Sequence, residues 1–128
     1  MSATFPDTTA IARRLQDESL SGAWLATRLG VDTAKLDLMR RDGELIGVRL
    51  PGDQTWFYPA WQFRGGRPRR IVPAISREAR AAGLDELRLY EVLTMRLGLG
   101  GERRLADLLV EGDDDAVLAG IRTSTPRR

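Results

Sequence analysis

The chain has 128 residues, of which 42% are hydrophobic, with 20 basic and 18 acidic side chains and a formal net charge of +2. This length suits one ordinary domain or two small modules that share a core, and the apolar content excludes a largely disordered chain. Cysteine and histidine are both absent, which removes the usual metal ligands, the thiol nucleophile and the commonest general base. We therefore expect no catalytic residue, no metal and no cofactor, and we predict that the protein is not an enzyme.

Membrane and export signals are also missing from the sequence. No apolar run approaches the roughly 20 residues that cross a bilayer, and Met1 to Asp17 lack the charged and then apolar order of a signal peptide. We expect a cytoplasmic protein that does not bind membranes.

The first part of the chain has the spacing of three short helices. Apolar residues recur at helical intervals over residues 7–18, 23–29 and 33–42. Serine or aspartate precedes the second and third helices as a candidate N-cap, and Gly30 and Gly43 are expected to end them.

The second and third helices have the pattern of a helix-turn-helix. Ala26, Gly30, Leu36 and Met39 stand at offsets of 0, 4, 10 and 13 residues, which places a small residue at the helix crossing and a glycine in the turn. An ordinary helical hairpin with a glycine turn is the alternative.

A β-hairpin is predicted next, because the β-prone residues 45–50 and 55–58 flank the turn sequence Pro51-Gly52-Asp53-Gln54. Strand alternation places Trp56 and Tyr58 on one face and Phe57 on the other, so most of these aromatic side chains are expected in the core. Trp61 and Phe63 follow and are expected to fix the junction with the second half.

The stretch from Leu25 to about Phe63 resembles the helix-turn-helix and β-wing of the excisionase and MerR-type DNA-binding domains. The resemblance implies that the third helix enters the major groove of DNA and that the wing contacts the neighbouring backbone. Asp37 is an unusual member of such a face, because phosphates repel it unless it accepts a hydrogen bond from a cytosine amino group. Arg40 and Arg41 have an alternative role as the cationic last turn of the helix. The DNA-binding candidates are Thr33, Lys35, Asp37, Arg40, Arg41, Arg49 and Gln54.

Residues 64–70 are glycine, proline and arginine with no apolar period, and a module boundary is predicted there. The predicted division is a DNA-binding-like module over 1–63, a helical module over 64–122 and a flexible tail over 123–128. The first module has 7 basic and 8 acidic residues, which argues against tight DNA binding by a monomer. Because helix-turn-helix proteins usually dimerise to bind two half-sites, we expect a homodimer.

The second half is predicted to be helical, with four apolar stripes separated by glycines. Gly83, the segment Gly98-Leu99-Gly100-Gly101, and Gly112 are expected to end the first three helices, and Asp113 to Asp115 to occupy the first turn of the last. The stripes consist of Ile71, Ile75 and Ala79, then Leu89, Val92, Leu93 and Leu97, then Leu105, Leu108 and Leu109, and finally Val117, Leu118 and Ile121.

The second half also resembles the antitoxin domain of the Xre/MbcA/ParS toxin-binding family. The similarity lies in Tyr58-Pro-Ala-Trp-Gln-Phe63, in Pro73, and in Gly100-Gly-Glu-Arg-Arg104 followed by Ala106-Asp-Leu-Leu109 and Gly112. Leu105 stands where the family usually has proline. The resemblance implies contact with a cognate toxin, commonly a RES-domain protein; for the acidic run a solvated helix start is the alternative role. The partner-binding candidates are Arg103, Arg104, Asp107, Glu111, Asp113 and Asp114, with Asp115 completing the acidic run.

Together these patterns predict a mostly α protein with a small β-hairpin wing, in which a winged helix-turn-helix is followed by a helical module of the toxin-binding type. The predicted function is that of a type II antitoxin, which neutralises a RES-like toxin and regulates its own transcription by binding operator DNA. Two alternatives stay open: a DNA-binding regulator or excisionase-like factor without a toxin partner, and a protein-interaction module that has lost DNA binding.

Overall fold

A computed structural model describes residues 9–97 and 103–124. The predicted helix start at Asp7, the segment Gly98 to Gly101 and residues 125–128 of the predicted tail lie outside these described residues. The two other tail residues, Thr123 and Ser124, donate side-chain hydrogen bonds to the Gly120 carbonyl.

The described residues form a mostly α fold with small antiparallel β elements, as the sequence predicts. No helix within them is long and apolar enough to cross a membrane. The helices are α1 Thr9–Glu18, α2 Gly22–Leu29, α3 Thr33–Arg41, α4 Val72–Ala81, α5 Glu86–Thr94, α6 Leu105–Glu111 and α7 Asp114–Arg122. The strands are β1 Ser19–Ser21, β2 Phe57–Pro59, β3 Phe63–Arg64 and β4 Arg67–Pro68, with a 3-10 helix over Ala60–Gln62.

α2 and α3 form the predicted helix-turn-helix. The Ser21 hydroxyl caps α2, and the Asp32 carboxylate caps α3 by accepting from the backbone N–H of Lys35 at 2.7 Å. Gly30 adopts a φ of 71°, the left-handed conformation that glycine takes without strain. Ala26 and Leu36 are buried between the two helices. The spacing predicted from the sequence is confirmed.

The predicted β-hairpin is reduced to one pair of residues. Val48 and Phe57 exchange two backbone hydrogen bonds of 2.8 Å. The longer ladder of β2 is with β1, a segment with no predicted strand. In this register Ile46 stands opposite Pro59, which has no backbone N–H to donate. The Gln62 side chain instead donates to the Ile46 carbonyl and accepts from the Ile46 N–H, both at 2.7 Å.

Two apolar clusters form the core. A smaller cluster lies within the helix-turn-helix and includes Leu25, Leu36 and Tyr58. A larger cluster combines Leu15 of α1 and Val48 of the wing with the inner faces of α4, α5, α6 and α7. The main core therefore spans the boundary predicted between residues 63 and 64.

The wing aromatics alternate between these clusters, as predicted. Trp56 and Tyr58 pack against the smaller cluster, and Phe57 packs against the larger one. Trp61 also packs against the larger cluster, where its ring is stacked with Tyr90 at a centroid distance of 6.5 Å. Phe63 packs against the smaller cluster, so the two junction aromatics contact different cores.

The predicted α5 stripe is wrong at its last member. Leu89, Val92 and Leu93 are buried, but α5 ends at Thr94 and Leu97 is 37% exposed. The chain leaves the helix here because residue 96 forms a β-bridge with residue 104 and the Leu97 N–H donates to the carbonyl of residue 103. Pairing with a later segment ends this helix, before the predicted glycine segment is reached.

Candidate nucleic-acid interface

The solvent-facing side of α3 carries three of the predicted DNA-binding residues. Thr33 and Lys35 are exposed at the start of the helix, and Arg41 is exposed at its end. Leu38 lies between them in the sequence and is 48% exposed. α3 therefore has a polar outer face, and Leu36 is buried on its inner face.

Arg40 does not belong to that face, contrary to the sequence prediction. Its side chain is only 10% exposed, and its guanidinium carbon lies 3.6 Å from the Trp56 ring centroid. Asp37 pairs with it at 3.3 Å. The backbone also closes over Arg40, because a Cβ at Gly47 would stand 2.5 Å from its side chain. Arg40 thus connects α3 to the wing, and Asp37 pairs with Arg40 within α3.

Tyr58 shares this buried corner of the wing. Burial raises the pKa of its hydroxyl, and the neighbouring Arg40 guanidinium offsets part of the rise. Tyr58 is therefore neutral at physiological pH and serves as a packing residue.

The predicted wing residues are exposed but have acidic neighbours. Arg49 lies 4.9 Å from the Trp56 ring centroid on the same ring as Arg40, and Gln54 is exposed at the wing turn. A groove of 400 Å³ at this turn is lined by both residues together with Asp53, Asp85 and Glu86. Three carboxylates beside the turn make it less favourable for contact with DNA phosphates.

The C-terminal half holds the end of α3 in position. The Ser76 hydroxyl of α4 donates to the Gly43 carbonyl at 3.0 Å, and Arg80 donates to the Arg41 carbonyl at 2.7 Å. A side chain at Gly43 would meet Ser76 at 2.9 Å, so the glycine permits this contact. The exposed face of α3 is thus oriented by residues outside the helix-turn-helix.

Two of the predicted partner-binding residues have structural roles. Arg104 is 24% exposed in its side chain and bridges Glu18 of α1 at 2.7 Å and Asp107 at 3.2 Å. The Asp107 carboxylate also accepts from the Arg104 backbone N–H at 2.8 Å and caps α6. Tyr90 donates to the same Glu18 at 3.3 Å, and burial raises the pKa of its hydroxyl. The sequence offers no local signal for Glu18, because its partners are more than 70 residues away.

The other predicted partner-binding residues are exposed. Arg103 forms an ion pair with Glu111 on the surface, and the Asp113 carboxylate caps α7 by accepting from the Ala116 N–H. Asp114 and Asp115 are exposed in the first turn of α7, where the helix dipole favours negative charge. Of the predicted set, Arg104 and Asp107 are therefore partly buried, and the other four residues are exposed.

Comparison with known proteins gives a structural match and no sequence match. No family model and no curated protein matches the chain. Among solved structures, the NMR structure of Rv2175c superimposes with a TM-score of 0.67 and 19% sequence identity, over 94% of this chain and 84% of that one. The chain resembles Rv2175c in fold. At this level of identity the match supports the arrangement of helices and strands and carries no information on function.

Proposed function

We propose that this protein binds duplex DNA through α3 and acts as a cytoplasmic transcriptional regulator, not as an enzyme. The observation that carries the proposal is the two-sided character of α3. Its inner face is buried through Leu36, while Thr33, Lys35 and Arg41 are exposed on a helix whose start and end are both fixed by hydrogen bonds. A rigid helix with a free polar face can present side chains to base edges and phosphates at once.

The first experiment is selection of binding sites from a library of random duplexes by the full-length protein. A recovered consensus is expected, and binding to it is then measured over a range of salt concentrations. Lys35→Ala and Arg41→Ala should each lower the slope of log affinity against log salt by about one, because each removes one cationic phosphate contact. Arg77→Ala, which removes an exposed arginine of α4, is the matched control. Failure to enrich any sequence, together with no binding at low salt, would contradict the proposal.

A homodimer on two half-sites is part of this proposal. The first 63 residues have no net basic charge, so two copies of α3 would supply the affinity that one lacks. Sedimentation of the protein with and without the selected duplex measures the number of copies bound. One copy on a single half-site would contradict the dimer.

Neutralisation of a RES-like toxin is a second candidate function, supported by apolar exposure in the C-terminal half. Met95, Leu97 and Val110 are 46%, 37% and 49% exposed, near the surface pair of Arg103 and Glu111. Exposed apolar side chains beside charged ones are typical of a protein-binding surface.

The test is co-expression with the product of the adjacent gene, followed by co-purification. If the partner is captured, Val110→Ser and Arg103→Glu should weaken capture, whereas Arg77→Glu on α4 should not. Melting temperatures should stay close to that of the unaltered protein, since all three positions are exposed. If no partner is captured by the unaltered protein, the stand-alone regulator remains.

A further inference from the structure

An arginine-rich hairpin follows the wing, in the segment that the sequence predicts to be a module boundary. β3 and β4 pair in antiparallel register, with Phe63 opposite Pro68 and Arg64 opposite Arg67. Gly65 and Gly66 form the turn with φ values of 61° and 78°. Residues 63–70, which we call the arginine hairpin, contain four arginines and no acidic residue.

Packing joins the arginine hairpin to the helix-turn-helix. Phe63 packs against the smaller cluster, as do Leu29 and Val31 on either side of the helix-turn-helix turn. Arg28, in the last turn of α2, lies against the hairpin turn, where a Cβ at Gly66 would stand 3.1 Å from the Arg28 Nε. The Arg69 guanidinium donates to the Trp61 carbonyl at 2.9 Å and holds the other end. The hairpin is therefore fixed beside the turn that leads into α3.

Four arginines of this surface have no carboxylate partner within the described part of the chain. Arg28, Arg64, Arg67 and Arg70 are exposed, and no described carboxylate lies within ion-pair distance of any of them. Asp114 borders the same surface as Arg64 and Arg70 without pairing with either. In contrast, Arg40, Arg88, Arg103, Arg104 and Arg122 all pair with carboxylates.

Two arginines lie directly opposite each other in the arginine hairpin, and their repulsion destabilises it unless an anion is bound. Arg64 and Arg67 face each other across the ladder, and like charges in directly opposed positions destabilise a strand pair. The Arg28 guanidinium adds a third positive charge at the same turn. A polyanion that bridges these groups would relieve the repulsion and form charge-assisted hydrogen bonds with the planar guanidinium groups.

We infer that the arginine hairpin and Arg28 form a phosphate-binding surface, which contacts the DNA backbone beside the groove that α3 enters. The inference rests on the proposed function. It assigns the main backbone contact to this hairpin in place of the predicted wing, whose turn is bordered by Asp53, Asp85 and Glu86. Duplex DNA is the favoured polyanion because the surface adjoins the turn that leads into α3.

The test compares two double variants of the full-length protein that lose the same charge. Arg64→Gln/Arg67→Gln removes the facing pair of the hairpin, and Arg13→Gln/Arg77→Gln removes two exposed arginines from α1 and α4 that also lack partners among the described residues. The probe is a fluorescent mixed-sequence duplex of 24 base pairs, titrated from low to moderate salt. The hairpin variant should lower the slope of log affinity against log salt by about 1.8 and weaken binding about 10- to 100-fold near 0.1 M salt. The control variant should leave the slope unchanged.

Arg28→Gln on α2 provides an independent test that leaves the hairpin sequence intact. It should lower the slope by about 0.9. The melting temperature of Arg64→Gln/Arg67→Gln should not fall, because the substitution removes a like-charge pair.

The remaining outcomes separate failure of the inference from failure of the proposed function. If the unaltered protein binds the duplex, Lys35→Ala weakens binding and the hairpin variant behaves like the control, the inference is overturned and the proposed function stands. If the unaltered protein does not bind the duplex even at low salt, both fall. If single-stranded RNA of equal length displaces the duplex at lower concentration than unlabelled duplex does, the assignment to duplex DNA is overturned.

Discussion

At the scale of single residues, Gln62 completes the wing by side-chain hydrogen bonds. It is fully buried and donates to the carbonyls of Ile46 and Pro59, while its Oε1 accepts from the Ile46 N–H. The Gln62 amide thus replaces the backbone hydrogen bonds that a strand residue opposite Ile46 would make, because Pro59 has no N–H that could donate.

Gln62→Ala should therefore be strongly destabilising. The substitution leaves the N–H and C=O of Ile46 without partners in the core, and each unsatisfied buried group costs about 1 to 3 kcal/mol. We expect a loss of about 2 to 5 kcal/mol in the free energy of unfolding, measured by urea denaturation. Gln54→Ala, at the exposed wing turn, should change stability by no more than about 0.5 kcal/mol. A loss below about 1 kcal/mol for Gln62→Ala would show that water replaces the side chain.

Asp107 should make stability depend on pH in the acid range. Its hydrogen bond with the Arg104 guanidinium lowers the pKa of the carboxyl group, and partial burial opposes the shift. Because the folded-state pKa is the lower one, the charged carboxylate stabilises the fold above the ordinary carboxyl pKa of about 3.9. This contribution is lost as the pH falls through the folded-state pKa.

Asp107→Asn tests this by removing the charge while keeping an oxygen that can cap α6. The variant should be less stable than the unaltered protein at pH 7, and its stability should change less as the pH falls below about 4. Urea midpoints over a pH series measure the difference, with Asp17→Asn as a control that removes one exposed carboxylate. Parallel pH profiles for Asp107→Asn and the unaltered protein would contradict the assignment.

At the scale of elements, some helices begin or end at residues next to them in the sequence, whereas α5 ends where it pairs with a distant segment. Gly30 and Gly112 end α2 and α6 in left-handed conformations, and Asp32 and Asp113 begin α3 and α7. These signals lie within one turn of the helix they limit, so the sequence predicts them. The end of α5 is set by pairing with residues 103 and 104, which no local pattern records.

The two neighbouring leucines of α6 should differ in their effect on stability. Leu109 is 1% exposed in the larger cluster, whereas Leu108 is only partly buried at its margin. Leu109→Ala should cost about 3 to 5 kcal/mol in the free energy of unfolding, and Leu108→Ala clearly less, because truncation of a half-buried side chain leaves a smaller cavity. Urea denaturation of both variants measures the difference. Equal losses would mean that Leu108 is as buried as the helical stripe predicts.

At the scale of the whole molecule, the individual helices and strands were easier to predict from the sequence than the contacts between them. The helix-turn-helix spacing, the alternation of the wing aromatics and the fully buried apolar stripe of α4 follow from periodicity, which is local. The structural roles of Arg40 and Arg104 do not follow from periodicity, because both depend on partners that are distant in the sequence. Arg40 contacts Trp56, and Arg104 pairs with Glu18. The arginine hairpin was missed as a surface because its composition also suits a linker.

The shared core predicts how the two halves behave when separated. Leu15, Ile46 and Val48 belong to the first 70 residues but are buried in the larger cluster against α4 to α7. A fragment ending at Arg70 would expose these side chains, and full burial of each contributes about 1.5 to 3 kcal/mol. The sum is comparable with the whole stability of a small domain, about 5 to 15 kcal/mol.

Residues 1–70 alone should therefore lack cooperative folding, and adding the fragment 71–128 should restore it. Chemical-shift dispersion and urea denaturation of the separate and mixed fragments measure both effects, with the full-length chain as the reference. The α3 face should recover DNA binding only in the mixture, because Ser76 and Arg80 of the second fragment hold the end of that helix. If residues 1–70 instead unfold cooperatively and bind DNA as the whole chain does, the boundary at residue 63 divides two independent modules and the shared core is dispensable for the DNA-binding face.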